Sequence, residues 1–310
     1  MSPLADWSDD APLVQDVPCP LGHDTPVRRL VDTIWQAEGA AEYQCTECQI
    51  VFLHPIMTEE QEKAFYEKEF AEYMAKRGQA GGADPRDSYE KWKPEGHRRH
   101  ELLKPWLKEG MSVLEIGAAT GFLLDEIRPH VGEVVGIEPG EDFRRFAESE
   151  LDIEMHPSRD GVEGRQFDLI LSYYVVEHMR DPVAELGEWR QLLKPGGRLA
   201  LEVPNVDDAL VKYWQVEAFD RFYWQAAHYF NYSHDTMEMV LGMAGFTDAQ
   251  TIPVQRYDIS NHIHWMWKGK PGGAGAYTDL LDDGLNAEYH RVLRDQWLCD
   301  TVMAVAANPG

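Results

Sequence analysis

The stretch Val113-Leu114-Glu115-Ile116-Gly117-Ala118-Ala119-Thr120-Gly121-Phe122 constrains the fold more than any other part of the chain. An apolar run of branched residues, a carboxylate, a turn with two glycines and the apolar-periodic segment Phe122 to Ile127 read as strand, tight loop and helix. Gly117 and Gly121 can take positive φ or admit a ligand close to the backbone, and the helix that follows directs its free N–H groups at the loop. About twenty residues on, Val134-Val135-Gly136-Ile137-Glu138-Pro139 reads as a second buried strand ending in a carboxylate. A doubly wound sheet holds ribose hydroxyls at that place, so Glu138 is expected to accept from the 2′ and 3′ hydroxyls.

Beyond Glu138 the pattern keeps alternating strand and helix, as a parallel sheet requires. A helix is expected over Glu141 to Glu150, a short strand near Ile153 to Met155, a loop through Ser158 and Asp160, and a strand from Phe167 to Ser172. Ser172, Tyr173, Glu177 and His178 then fall at the C-terminal edge, outside which ligands bind in an open α/β sheet. Helix Val183 to Leu193 is expected to stop at Pro195-Gly196-Gly197, with a glycine at its C-cap. Taken together, VLEIGAATGF, VVGIEPGE, FDLILSYYVVEHMRDP and LLKPGGRLALEVPN resemble the successive motifs of class I S-adenosylmethionine (SAM)-dependent methyltransferases over roughly residues 95 to 250. The resemblance implies an α/β, Rossmann-like seven-stranded sheet and a SAM site at Glu115, Gly117, Ala119, Gly121, Phe122, Glu138, Pro139, Ser172, Tyr173 and His178. It also places Ser158 or Asp160 near the adenine. Ala119 stands where the family loop has a glycine, which is tolerable if φ there is negative.

The amino-terminal region carries a different signal. Cys19-Pro-Leu-Gly22-His23 and Cys45-Thr-Glu-Cys48 bracket a strand-like stretch, as in a small zinc ribbon that closes itself over a metal. The set Cys19, His23, Cys45 and Cys48 is chemically sound for structural zinc; the competing reading is a ribbon without metal that survives on packing. The C-x-x-C running into VFLHP, and then Glu62 to Met74, resembles the N-terminal module of sugar methyltransferases and related enzymes of bacterial glycan pathways. The organisation expected is therefore a disordered tail over 1–15, a zinc-ribbon-like module over 16–58, a helical linker or lid over 59–94, and the methyltransferase domain over 95–310 with insertions at 206–233 and 259–296. Tyr66, Phe70 and Tyr73 sit at helical spacing in the linker, with Tyr73 the candidate for ligand contact. Gln79 to Pro85 reads as a mobile hinge. The basic run His97-Arg98-Arg99-His100 reads first as a solvated helix face, with phosphate contact to a nucleotide substrate as the alternative.

Composition narrows the partners. With 310 residues, 54 acidic against 29 basic side chains and a net charge of -25, long-range repulsion opposes nucleic acid. No apolar run is long enough for a membrane span, and Met1 to Pro20 lacks a basic-then-apolar leader, so a cytoplasmic enzyme is expected. Cys299 lies in an apolar run and reads as a buried small hydrophobe.

From Val206 to Ser233 the sequence is dense in aromatics, which could form a homodimer contact or the wall of a substrate pocket. Tyr223, Tyr229, Asn231, His262 and His264 join Tyr73 as substrate-side candidates. His228, ahead of an aromatic and a Ser-capped helix, is the first choice for general base, since a neutral imidazole can take a hydroxyl proton near neutral pH; His178 stands in reserve. The turn Lys268-Gly269-Lys270-Pro271-Gly272-Gly273 could cradle phosphate or be a plain basic turn. The function expected is O-methylation of a sugar hydroxyl on a nucleotide-sugar or glycan intermediate. Open alternatives are C- or N-methylation of a sugar, O-methylation of a small aromatic or polyketide metabolite, and SAM binding without turnover.

Overall fold

The computed structural model describes residues 11–66, 73 and 84–310 of the chain. Phe70 and most of the expected hinge from Gln79 lie outside the described residues. The strands are β1 (Leu13–Val14), β2 (Val27–Val31), β3 (Ala41–Cys45), β4 (Val51–His54), β5 (Ser112–Ile116), β6 (Glu133–Ile137), β7 (Glu154–His156), β8 (Phe167–Tyr173), β9 (Leu193–Pro204), β10 (Phe230–Asn231), β11 (Thr247–Val254) and β12 (Thr301–Ala307). The helices are α1 (Glu59–Ala64), α2 (Pro85–Leu103), α3 (Phe122–Ile127), α4 (Glu141–Leu151), α5 (Pro182–Gln191), α6 (Ala209–Lys212), α7 (Glu217–Tyr223), α8 (His234–Met243), α9 (Ile259–Lys268) and α10 (Asp283–Asp295).

Seven strands form one sheet in the order β11-β12-β9-β8-β5-β6-β7, the Rossmann-like architecture expected. β5 pairs in parallel with both β6 and β8, so the chain leaves β5 toward one edge and returns on its other side. Such a reversal opens a crevice at the strand tips, where ligands of open α/β sheets bind. β12 is antiparallel to β9 and β11, and α9 and α10 lie in the chain between β11 and β12. Alternating residues of the central strands feed two cores on opposite faces: Val113, Leu169 and Leu171 with Leu123 on one, Leu114 and Ile170 with Trp189 and Met237 on the other.

The second core continues into the amino-terminal region, taking in Val27, Ile50 and Phe52 together with Trp224 and Tyr229. There a second sheet runs β1-β2-β3-β4-β10, and its last strand comes from the 206–233 insertion, Phe230 pairing with Phe52 and Asn231 with Val51. The module and the domain therefore share both a sheet and a core.

Four expectations are corrected. Leu13 and Val14, placed in a disordered tail, pair with Arg28 and Val27. The boundary at 94/95 falls inside α2, which runs through Pro94 without a break from its Asp84 cap. α5 ends at Gln191 with Leu192 as its C-cap, and Pro195-Gly196-Gly197 is an irregularity within β9 that keeps Asn308 close, Gly196 N–H donating to its carbonyl at 2.9 Å. The run at 97–100 is no solvated face: Arg99 and His100 are buried and Arg98 is paired. The reason is Gly96, where a Cβ would stand 3.1 Å from the Phe122 ring and carbonyl. Its absence lets α2 lie against the start of α3 and turns the next residues inward.

Candidate active site

The tip of β5 turns sharply. Gly117 has φ +81°, and a Cβ there would meet Val175 Cγ2 at 2.5 Å, so only glycine lets the loop after β8 come this close. Gly121 caps α3 with φ +75°. Ala119, for which a negative φ was the condition, has φ +46°. Its N–H donates to Glu138 Oε2 at 3.0 Å, and that bond holds the alanine in a region that costs it on the order of 1 kcal/mol.

Glu138 is thereby fixed at the tip of β6, its other oxygen accepting from Gly140 N–H at 2.7 Å. Burial raises its pKa, and the two N–H donors oppose the rise. A carboxylate has about four acceptor positions, so after two backbone bonds it can still accept from a diol. Arg144 fastens the same corner, Nη1 donating to the carbonyls of Glu138 and Pro139. Ser172 donates its hydroxyl to the Ile116 carbonyl at 3.1 Å, so it ties β8 to the turn of β5. Ser158 accepts from Asp160 N–H and caps a short turn, with the Asp160 side chain exposed beside it.

Two buried ionisable groups, an acid and a base, lie near one another here. Glu115 is pushed up to about 8 by burial, with Arg99 opposing and Glu138 reinforcing, and its Oε2 has no partner. Arg99, 6% exposed, holds its guanidinium 4.1 Å from the centroid of Tyr173 and 5.3 Å from that of Phe122. Its Nε is unpartnered, and no carboxylate stands within ion-pair distance among the described residues. By contrast Arg98 donates to both oxygens of the buried Glu202, at 3.0 and 2.9 Å, and Arg256 pairs with Asp300 at 2.6 Å. A buried, unpaired cation costs several kcal/mol, which makes Arg99 a group suited to an anionic ligand. The sequence reading missed it; the signal available was Gly96 just ahead of the basic run.

Past β8, the second cluster is reached. Glu177, His178 and His228 present ligand atoms within 4.8 Å of one another, and the two imidazoles meet edge to face with centroids 5.0 Å apart. His178 Nδ1 lies 2.6 Å from the Ala227 carbonyl, which can only accept, so that nitrogen carries the proton. His228 lies 2.9 Å from the amide nitrogen of Gln225, whose Oε1 accepts from the Tyr73 hydroxyl at 2.5 Å. A tyrosine hydroxyl can donate or accept, so the amide can equally be turned with its oxygen on the imidazole N–H, an arrangement that leaves the other ring nitrogen able to accept a proton. Glu177 is buried with both carboxylate oxygens unpartnered, and burial pushes it up to about 8.

The other substrate-side candidates are placed as follows. Tyr229 is buried, with the Arg180 guanidinium 5.7 Å from its ring, and Tyr223 is buried with an unpartnered hydroxyl. Asn231 donates to Glu42 Oε2 at 3.2 Å inside the second sheet. His262 and His264 are held within the carboxy-terminal insertion, Nδ1 of each beside the hydroxyl of Tyr289 (2.7 Å) and Tyr277 (3.0 Å). Burial draws His262 down to about 4.

At the far end of the second sheet, Cys19, His23, Cys45 and Cys48 also present their atoms within 4.8 Å of one another. Cys19 Sγ is 3.8 Å from Cys48 Sγ and 3.5 Å from His23 Nδ1. Tetrahedral zinc with ordinary Zn–S and Zn–N bonds sets these edges at about 3.8 and about 3.6 Å, so the donor set fits the ion.

The methyltransferase-domain family matches residues 87–251, more than half of the chain. The chain belongs to that family. Its methyltransferase domain is the SAM-dependent kind, and the glycine turn, Glu138 and the orphaned Glu115 and Arg99 fit the donor. Among curated relatives it is similar to proteins named ubiquinone biosynthesis O-methyltransferase. That of Roseobacter denitrificans is 36% identical over 110 residues, covering 33% of this chain and 44% of the relative. That of Dinoroseobacter shibae is 32% identical over 119 residues, covering 34% and 46%. The chain thus spans less than half the length of these relatives. A SAM-dependent methyltransferase structure from Archaeoglobus fulgidus is 18% identical, with a TM-score of 0.49 over 77% of this chain and 100% of that one. No helix among the described residues is long and apolar enough to cross a membrane.

Proposed function

We propose that the chain methylates a hydroxyl of a sugar carried on a nucleotide or glycan intermediate, with His228 as the general base. The observation that carries the reading is the His178–His228 pair at the C-terminal edge of β8, with a Tyr73–Gln225 relay behind it. SAM supplies an electrophilic methyl: the acceptor oxygen bonds to that carbon as the carbon–sulfur bond breaks, and the bond pair leaves on sulfur. The chain's own residues have three tasks. Glu138 and the Gly117 turn hold the ribose side, and Arg99 with Glu115 complements the charged amino-acid end. Tyr73 and Gln225 orient His228, which receives the hydroxyl proton. The buried aromatic wall around Tyr223, Trp224 and Tyr229 keeps water away from the sulfonium.

The names of the curated relatives favour a second reading, a phenolic acceptor. Incubation with SAM and parallel panels of nucleotide-sugars and catechols separates the two, read by a mass gain of one methyl group and by NMR of the product. A product from sugars carrying an O-methyl supports the proposal; methylation of catechols alone, or a C-methyl product, sinks it.

We further propose that Cys19, His23, Cys45 and Cys48 hold a structural zinc ion. The two edge lengths, Cys19 Sγ to Cys48 Sγ and to His23 Nδ1, support it. Elemental analysis of protein purified without chelator should find one zinc per chain and none in Cys45→Ser. Wild-type protein free of zinc would end this assignment.

A further inference from the structure

Glu177 is 1% exposed, and among the described residues it is the one buried acid whose two carboxylate oxygens both lack a hydrogen-bond partner. Other buried acids are answered: Glu202 by Arg98, Tyr174 and Thr301, Asp300 by Arg256, and Asp208 by the Leu210 N–H. A buried polar group without a partner costs stability unless something completes it. The main chain here is well held, the Glu177 carbonyl accepting from Tyr229 N–H at 2.8 Å, so the acid stands against the segment that carries His228. Folding thus fixes the residue and leaves its polar end unused.

That end converges on the two imidazoles, since one atom each of Glu177, His178 and His228 lies within 4.8 Å of the others. A hydroxyl that gives its proton to His228 must come within about 3 Å of a ring nitrogen. It then enters the space shared with the Glu177 carboxyl, and a second hydroxyl on the adjoining carbon is carried within reach of that carboxyl. Burial pushes Glu177 up to about 8, so at neutral pH it is chiefly the neutral acid, which can donate one hydrogen bond and accept others, as a hydroxyl requires. A methylene in place of that second hydroxyl would leave the acid as orphaned as before. The way in lies past α1, which buries none of its own residues and rests on the loop after Glu177 through Glu62 and Arg180, 2.5 Å apart. A helix with so little buried surface can move aside as a ligand enters.

We infer that the site takes a vicinal diol, one hydroxyl at His228 for methylation and its neighbour at Glu177, which makes Glu177 a specificity-determining residue. The inference rests on His228 as base and on a hydroxyl acceptor as proposed above; a sugar and a catechol both present this chemistry. Initial rates on the full chain with SAM test it in two arms: uridine- and thymidine-diphosphate glucose against their 2-, 3- and 4-deoxy analogues, and catechol against phenol. Loss of the hydroxyl beside the methylated one should lower kcat/KM about 10²-fold or more, because the acid is then left unpaired. Glu177→Leu should reduce that ratio to about three-fold or less, and Glu177→Gln, whose amide also donates and accepts, should keep most of it. Unchanged S-adenosylhomocysteine affinity in both variants verifies folding. A purely structural acid would lower both rates and leave their ratio alone. A wild-type ratio near one, a ratio indifferent to Glu177→Leu, or methylation of no vicinal diol in either arm overturns the inference. If catechol alone is turned over and its ratio collapses in Glu177→Leu, the inference stands and the sugar reading falls. If a sugar is methylated with a ratio near one, the sugar reading stands and the inference falls.

Discussion

Gly117, Ala119 and Glu138, the proposed donor side, come from one short strand-loop-helix-strand stretch and are held mainly through backbone N–H groups and φ values. On the proposed acceptor side, Trp35, Tyr73, Gln225 and His228 come from three well-separated stretches and meet through side chains. A common cosubstrate is held by local geometry that a fold can keep unchanged, whereas the variable partner is met by segments added around that fold. The donor side should therefore tolerate change at the acceptor side, and the converse should hold for folding but not for turnover.

The largest effect expected is on chemistry. His228→Ala should lower kcat by about 10²–10⁴-fold in a methyl-transfer assay and leave S-adenosylhomocysteine affinity untouched. Full kcat in the variant across about pH 6 to 9 would end its role as base. Next, Glu138→Ala should weaken S-adenosylhomocysteine by about 1.5–3 kcal/mol in calorimetry, because an ionised acceptor is lost. An unchanged Kd would show that the ribose lies elsewhere.

A selective effect should follow at Arg99. Arg99→Met should weaken S-adenosylhomocysteine about ten-fold but not 5′-methylthioadenosine, which lacks the amino-acid end, and Arg99→Lys should restore part of the loss. Equal losses for both ligands would mark Arg99 as a purely structural cation.

The smallest effect concerns pH. Burial pushes Glu177 from an ordinary value of 4.5 up to about 8, so between these values the folded chain keeps a proton that the unfolded chain has released. That stabilisation is fully present below the ordinary value and fades as pH rises toward about 8. In Glu177→Gln the fall in Tm between about pH 5 and about pH 8 should be smaller by about 3 °C. An identical fall in both proteins would place the titration in other groups.

The contrast also decides what could be read in advance. The order of the sheet, the glycine turn and the acid at the tip of β6 were legible because each is written within a few residues: branched apolar runs, a glycine pair, a carboxylate at a strand end. The Cys19/His23 and Cys45/Cys48 pairs were legible for the same reason. Arg99 was not, since one glycine at 96 turned a run that looks solvated toward the interior through contact with Phe122. Ala119 departed from the expected φ because a partner nineteen residues away holds its N–H. Tyr73, Gln225 and Trp35 carry no local signature of their association, which tertiary packing alone creates.

Strand β10 begins two residues after His228 and is hydrogen-bonded to β4, on the sheet whose end gathers the three cysteines and His23. The imidazole proposed as base therefore hangs from the same ribbon of backbone that the thiols would anchor. A shortened protein starting at α2 would strand β10 without its neighbour, and it should still take up the donor while its base swings free of the acceptor.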